Sequence, residues 1–289
     1  MIADAGIAEI ETYARQDDLV ITASGKGDVG LLFPRDAEQS PFDKPMRALA
    51  LTYVTGMTPR QPYVAVEFNL IPGVGEYCVF PALTTIGPCE ILVMEGIPGG
   101  PMDCWADVKT PAQNLGTALN ILKTFLPWEY DHLKNCQLTD DNGILSGRFA
   151  PTVRHPVATL PSGRKVLGVG NAVCLNDPIT GQGSNNAARA AAIYLQLQRI
   201  IQHGDRPFDA AWMQATFDPF WDYAQRVVGW TNMLLQPPPP FILDIMGNAQ
   251  ALPALASRMA NGFDDPRDFF PWFADPDATA SYLAELKAA

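Results

Sequence analysis

The chain has 289 residues, 47% of them hydrophobic, which is enough for one large domain or two ordinary ones with a substantial buried core. Twenty Lys and Arg against 31 Asp and Glu leave a formal charge of −11, so no basic stripe is expected to neutralise a nucleic-acid backbone, and no nucleic acid partner is expected. Charged residues, at 18%, fall below the usual share, while 26 prolines are about twice average usage, predicting many rigid turns rather than low complexity.

The first residues show neither the basic n-region nor the apolar h-region of a secretory signal. No stretch approaches the roughly 18 apolar residues that span a bilayer, so no membrane association is expected. Cys78, Cys89, Cys104, Cys136 and Cys174 form no C-x-x-C pair, and His132, His155 and His203 are equally scattered. Buried reduced thiols and a cytoplasmic location are therefore expected, and neither a disulfide framework nor a metal site is.

In chain order, a polar helical stretch at residues 7–15 leads into a short β-rich run, 19–23. This reads as the last half of an α-to-β crossover, a unit that something should precede. Residues 48–54, 63–70, 76–81 and 90–94 are apolar or alternating runs between Pro and Gly turns, predicting an antiparallel sheet. Thr110 and Pro111 then supply an N-cap and a first-turn proline, Leu115, Leu119, Leu122 and Phe125 a helical stripe, and Pro127 a stop. Strand character resumes over 144–153, a crossing back out of this region, and 165–169 is a compact buried strand. An Ala-rich helix to residue 201 follows. The remainder is helical: 208–235, a stiff connector at Pro237 to Pro240, and shorter helices to 286.

Gly25-Lys-Gly-Asp-Val-Gly30 is a literal G-x-G-x-x-G after a strand. A dinucleotide loop of that spelling must open a helix, and Pro34, Pro41 and Pro45 follow instead. A glycine-permitted turn is the better reading. The segment 168–188 passes the same context test, because a buried strand leads through a Pro and Gly loop into a good helix. Backbone N–H groups and the positive helix end would then face whatever sits above Gly181-Gln182-Gly183, which suits an anionic group or a reducible ring. A tight loop whose glycines serve only packing explains the spacing equally well. Trp212, Trp221 and Trp230 with Phe217 and Phe220 read as core, Asp264, Asp265 and Asp268 as a solvated face, and Asp140-Asp-Asn-Gly143 as a turn.

Asn176-Asp-Pro-Ile-Thr-Gly-Gln-Gly-Ser-Asn185, placed after Gly170-Asn171, resembles the second flavin motif of single-domain FAD monooxygenases. Residues 18–26 (DLVITASGK), 40–49 (SPFDKPMRAL) and 230–232 (WTN) occur in the same order as in the FAD-dependent styrene/indole monooxygenases, so the resemblance runs over nearly the whole chain. It implies an α/β fold like that of p-hydroxybenzoate hydroxylase: a partial FAD-binding core from residues 1–30 and 151–205, an inserted β-sheet substrate-binding domain over 31–150, and a helical C-terminal region over 206–289. On that mapping Asp177, Pro178, Gly181, Gln182 and Gly183 lie at the pyrimidine end of the flavin ring. Gly170 and Asn171 lie along the ribityl chain and pyrophosphate, and residues 24–26 flank the adenosine half.

The implied activity is epoxidation of a small aromatic alkene or indole, with reduced FAD supplied by an NADH-dependent flavin reductase; a homodimer stays open. The cofactor does the oxygen chemistry, so no catalytic side chain is named. Two departures accompany the resemblance. Asn171 stands where the family has an acidic residue, and the family's opening βαβ unit with its G-x-G-x-x-G has no counterpart before Met1. The alternative is a non-catalytic substrate-binding module, or a truncated fragment, that no longer retains FAD.

Overall fold

The computed structural model describes residues 4–60, 66–195 and 202–288. It divides into two compact units, Met1–Asp43 with Pro151–Ala289, and Lys44–Ala150. In the first unit, helix α1 (Ile7–Gln16) buries Ile10 and Ala14, one turn apart on the same face. Strand β1 (Ile21–Thr22) follows. A five-residue helix, α2 (Gly27–Leu31), then forms where the prolines had argued against one. It fits into the seven residues between Gly27 and Phe33 and ends before Pro34 can break it. Residues 31–43, assigned from sequence to the insert, group with the first unit. Phe33 packs with Ile10, Ala158 and Val166, and Ser40 Oγ both accepts from Val153 N, at 2.9 Å, and donates to Val153 O, at 3.1 Å.

The second unit is a sheet backed by helices. Strands β2 (Ala48–Thr55), β3 (Glu67–Ile71), β4 (Gly75–Thr84) and β5 (Gly87–Gly96) pair antiparallel in the order β3-β4-β5-β2. Of the expected strand at 63–70, residues 63–65 lie outside the described residues. Alternation sends Ala48, Ala50, Val54, Tyr77, Val79, Leu92 and Met94 to one face, where they pack on α3 (Pro111–Phe125). Thr110 caps α3 in a capping box with Gln113. The inward stripe is Asn114, Ala118, Ile121 and Leu122, one position off the expected leucines except at Leu122. Pro127 does more than stop α3, because it opens α4 (Pro127–Leu133) as first-turn proline. Arg47 and Glu76 form a bidentate ion pair at 2.6 and 2.9 Å with both side chains no more than 5% exposed.

The run expected as one strand over 144–153 is two, interrupted by Pro151. After β6 (Gln137–Leu138), β7 (Ile144–Gly147) pairs with β2, and β8 (Thr152–Val153) belongs to the first unit. There β9 (Val157–Thr159) and β10 (Lys165–Gly168) complete a three-stranded sheet, with β10 lying parallel to β1 through Ile21–Leu167 and Thr22–Gly168 and antiparallel to β9. β8 pairs with β11 (Cys174–Leu175), and α5 (Gly183–Tyr194) follows. Residues 196–201 of the expected Ala-rich helix lie outside the described residues. Helix α6 (Ala210–Leu234) packs Met213, Phe217, Phe220 and Ala224 onto Leu167, Ala190 and Tyr194.

The proline run does not stay a connector throughout, since Pro240 opens α7 (Pro240–Ala249). With α8 (Pro253–Gly262) and α9 (Pro276–Ala288), α7 surrounds a second cluster containing Trp230, Ile245, Leu255, Phe269 and Trp272. Among the described residues no helix is long and apolar enough to cross a membrane, and no three His, Cys, Asp or Glu gather as a metal site. The five cysteines are free, Cys104 among them exposed rather than buried.

Candidate functional site

Two turns meet at the carboxyl ends of the parallel pair β1 and β10. After β1, Ser24 Oγ donates to the Lys26 carbonyl at 3.0 Å. A Cβ at Gly25 would stand 2.5 Å from the Asn171 carbonyl oxygen, and one at Gly30 2.7 Å from the Gly25 carbonyl carbon. These two glycines let the first turn press on the second and α2 press on the first. After β10 the chain makes a 3-10 turn, Gly170–Ala172, with Asn171 exposed at its crest.

Between the turns lies Arg154, 8% exposed. It donates to the Gly25 carbonyl at 3.1 Å and to the carbonyls of Asn171 and Ala172 at 3.3 and 3.4 Å. Burial, then the neighbouring Arg35 charge, pulls its pKa below the usual arginine value.

β11 leads into the loop that precedes α5. Asp177, 2% exposed, caps the 3-10 turn Pro178–Thr180 by accepting from Ile179 N at 3.2 Å. Thr180 and Thr231 share a hydrogen bond between buried hydroxyls at 2.8 Å. Gln182, 1% exposed, donates from Nε2 to the Phe263 carbonyl at 2.9 Å and accepts from Asn185 Nδ2 at 3.3 Å. The side chains of Asp177, Thr180 and Gln182 are thus engaged within the protein and hold the loop's shape. Gly181 turns the chain at φ +63°, and a Cβ at Gly181 or Gly183 would meet nothing within 4 Å among the described residues.

The seven residues singled out from sequence fall into two groups, Gly170 and Asn171 on the first turn, and Asp177, Pro178, Gly181, Gln182 and Gly183 on the loop. Ala187 of α5 comes 4.0 Å from where a Gly170 Cβ would stand, so the first turns of α5 lie beside the 3-10 turn.

The residues fit a flavin. No side chain caps α5 and its first turn holds no acidic residue; α7 and α8 share this, but they lack the glycine loop that precedes α5. The space above Gly181 and Gly183 is open, and the positive helix end faces it. Asn186, in the opening turns of α5 and 3% exposed, has neither amide atom hydrogen-bonded among the described residues.

Sequence reasoning missed Arg154, a lone cation inside an apolar run, and Asn186. It quoted Thr231 only as part of a similar stretch. The acidic cluster is not simply solvated: Asp268 takes two 2.8 Å bonds from Arg258, and Asp265 pairs with Arg267 at 2.5 Å. Phe217, Phe220 and Trp230 are buried core residues, and Trp212 and Trp221 pack against that core.

Residues 25–132 match the family described as "Styrene monooxygenase A putative substrate binding domain". Over 286 residues the chain is 28% identical to styrene monooxygenase StyA of Pseudomonas fluorescens, an alignment that covers 95% of this chain and 67% of that protein. The chain is similar to the styrene monooxygenases over most of its length. A StyA from a second Pseudomonas sp is also 28% identical, over 98% of this chain and 69% of that one. Among solved structures, the flavin-dependent brominase Bmp2 superposes with a TM-score of 0.57 at 13% identity, over 86% of this chain and 57% of that one. The chain therefore shares the mixed α/β fold of flavin-dependent enzymes of this kind, with a sheet unit and a helical C-terminal part, and spans 57% of the brominase's length.

Proposed function

We propose that this chain is the oxygenase half of a two-component system, binding FAD at the loop before α5 and epoxidising a small aromatic alkene in the cytoplasm with reduced flavin from an NADH-dependent reductase. The observation that carries the reading is the uncapped end of α5, with open space over Gly181 and Gly183 beside the Gly170–Ala172 turn. Similarity to styrene monooxygenase StyA supports the substrate class and the reductase.

A bound, reduced flavin would supply the electrons that activate dioxygen, and one oxygen atom of that dioxygen would pass to the substrate while the other leaves as water. The chain's own part is binding and orientation. Backbone N–H groups at the start of α5 would hold the pyrimidine end, where negative charge accumulates. Gly181 and Gly183 would let the ring approach the backbone, Asp177 and Gln182 would fix that backbone from below, and Gly170 and Asn171 would run along the ribityl chain. Asn171 can hydrogen-bond a hydroxyl without adding charge.

The test has two parts. Flavin fluorescence titration of the chain measures FAD binding, and absence of binding at micromolar FAD rejects the cofactor site in favour of a module that binds substrate alone. Incubation with a flavin reductase, NADH and styrene then measures oxygenated product, and a chain that binds and turns over flavin yet oxidises neither styrene nor indole rejects the substrate class.

A further inference from the structure

We propose that Arg154 ties together the turns after β1 and β10 and leaves them with an unbalanced positive charge that selects a phosphate-bearing ligand at the carboxyl ends of these strands. Three observations converge on it. The guanidinium is buried, yet among the described residues no carboxylate lies within ion-pair distance of it, and its acceptors are the carbonyls of Gly25, Asn171 and Ala172. Arg47, equally buried, meets Glu76, and Arg60 meets Glu129, so the other deeply placed arginines have the counter-charge that Arg154 lacks. The charge that acts on Arg154 is that of another cation, Arg35, itself satisfied by the carbonyls of Ser40 and Phe42.

A buried charge without an opposite charge is costly, and carbonyl dipoles only partly offset it. An anion seated above the two turns completes the balance. Its place follows from the sheet, because ligands of open α/β sheets bind outside the carboxyl ends of the strands. Gly25 bearing on Asn171 brings the two turns into one surface, and Arg154 lies under both.

For the identity of the ligand this proposal rests on the flavin reading. The group selected is then the pyrophosphate of FAD, not the ring, and that makes the two separable. Calorimetric titration of the full chain with FAD, riboflavin and inorganic pyrophosphate, repeated on Arg154→Gln and Arg154→Lys, is the experiment. Wild type should prefer FAD to riboflavin, and the preference should fall about thirtyfold or more in Arg154→Gln while Arg154→Lys keeps most of it. Riboflavin affinity should stay within about threefold throughout, which a purely structural role for Arg154 would not allow. The wild-type preference should also shrink as salt rises.

Equal weakening of FAD and riboflavin in Arg154→Gln, or unchanged FAD affinity, overturns the proposal. If wild type binds neither flavin, the flavin reading fails and pyrophosphate decides: a melting temperature raised in wild type but not in Arg154→Gln supports the anion site, and no shift overturns it. If Arg154→Gln lacks native circular dichroism, a salt-independent FAD to riboflavin ratio in wild type overturns it, and a salt-sensitive ratio kept by Arg154→Lys supports it.

Discussion

The hydroxyl pair Thr180 and Thr231 joins the loop before α5 to helix α6, and its worth can be measured. Both residues are no more than 1% exposed and their oxygens lie 2.8 Å apart. Thr231→Val keeps the shape and a similar helix propensity but strands the Thr180 hydroxyl in the interior, at a cost of about 1–3 kcal/mol. Thr180→Val strands the other hydroxyl at a similar cost. Removing both leaves no orphan, so the double variant should lose no more than either single one, giving a coupling of about 1–3 kcal/mol in the cycle. With an unfolding slope of about 3 kcal/mol per molar urea, a loss of about 2 kcal/mol lowers the midpoint by roughly 0.7 M. Urea titrations followed by tryptophan fluorescence resolve that difference. Strict additivity of the two single losses would refute the contact, and with it the idea that α6 fixes the loop.

Gly183→Val should leave the fold within about 1 kcal/mol of wild type, since a Cβ there meets nothing within 4 Å among the described residues and valine is no worse than glycine in a helix. It should nevertheless abolish FAD binding in a fluorescence titration; retained binding would move the cofactor away from this loop. Arg47→Met strands the buried Glu76 carboxylate and should cost about 3–5 kcal/mol in urea unfolding, and a loss under about 1 kcal/mol would show the pair to be open in solution. Hydrogen bonds from Arg258 hold Asp268 below the usual carboxylate range, so its stabilising effect is present above the unfolded pKa and fades as pH falls through the lower folded one. Asp268→Asn should therefore be less stable than wild type at neutral pH, with the gap closing below about pH 4; a gap that persists at pH 2 would contradict this. Cys104 is the exposed thiol, and burial lifts Cys174 to about 12. A thiol reagent at pH 8 should label Cys104 first and Cys174 only on unfolding, and Cys104→Ser should remove the fast phase.

What was legible in the sequence was whatever short-range pattern determines. The alternating runs gave the antiparallel strands, Thr110 and Pro111 gave the start of α3, and the Pro and Gly loop before an Ala-rich run gave the start of α5. The helix α2 was not legible because the rule against proline in helices concerns the helix interior, and the short stretch before Pro34 has none. The stripe of α3 came out one position off because helix faces turn by the bulk of what they meet: small Ala118 and Asn114 face the sheet, and the leucines sit at its margin. At the candidate site, the glycine positions followed from the motif. The duties of Asp177 and Gln182 did not, since their partners Ile179 N and the Phe263 carbonyl are set by backbone path and by a loop eighty-one residues away. Arg154 left no local trace, because what distinguishes it is that no carboxylate among the described residues lies within ion-pair distance, a property of three-dimensional surroundings alone.

Helix α6 belongs to two cores at once, with Met213 to Ala224 in the cluster over β10 and Trp230 in the cluster of the C-terminal helices. It acts as a shared wall, so pulling the last helices away would strip one side of the flavin-type core, and melting that core would bare the tryptophan that the last helices enclose. The C-terminal quarter is thus a structural lining of the first unit and not a detachable appendage. Proteolysis in the proline run should release no stable fragment, and the melting of α5 through α9 should run as one transition.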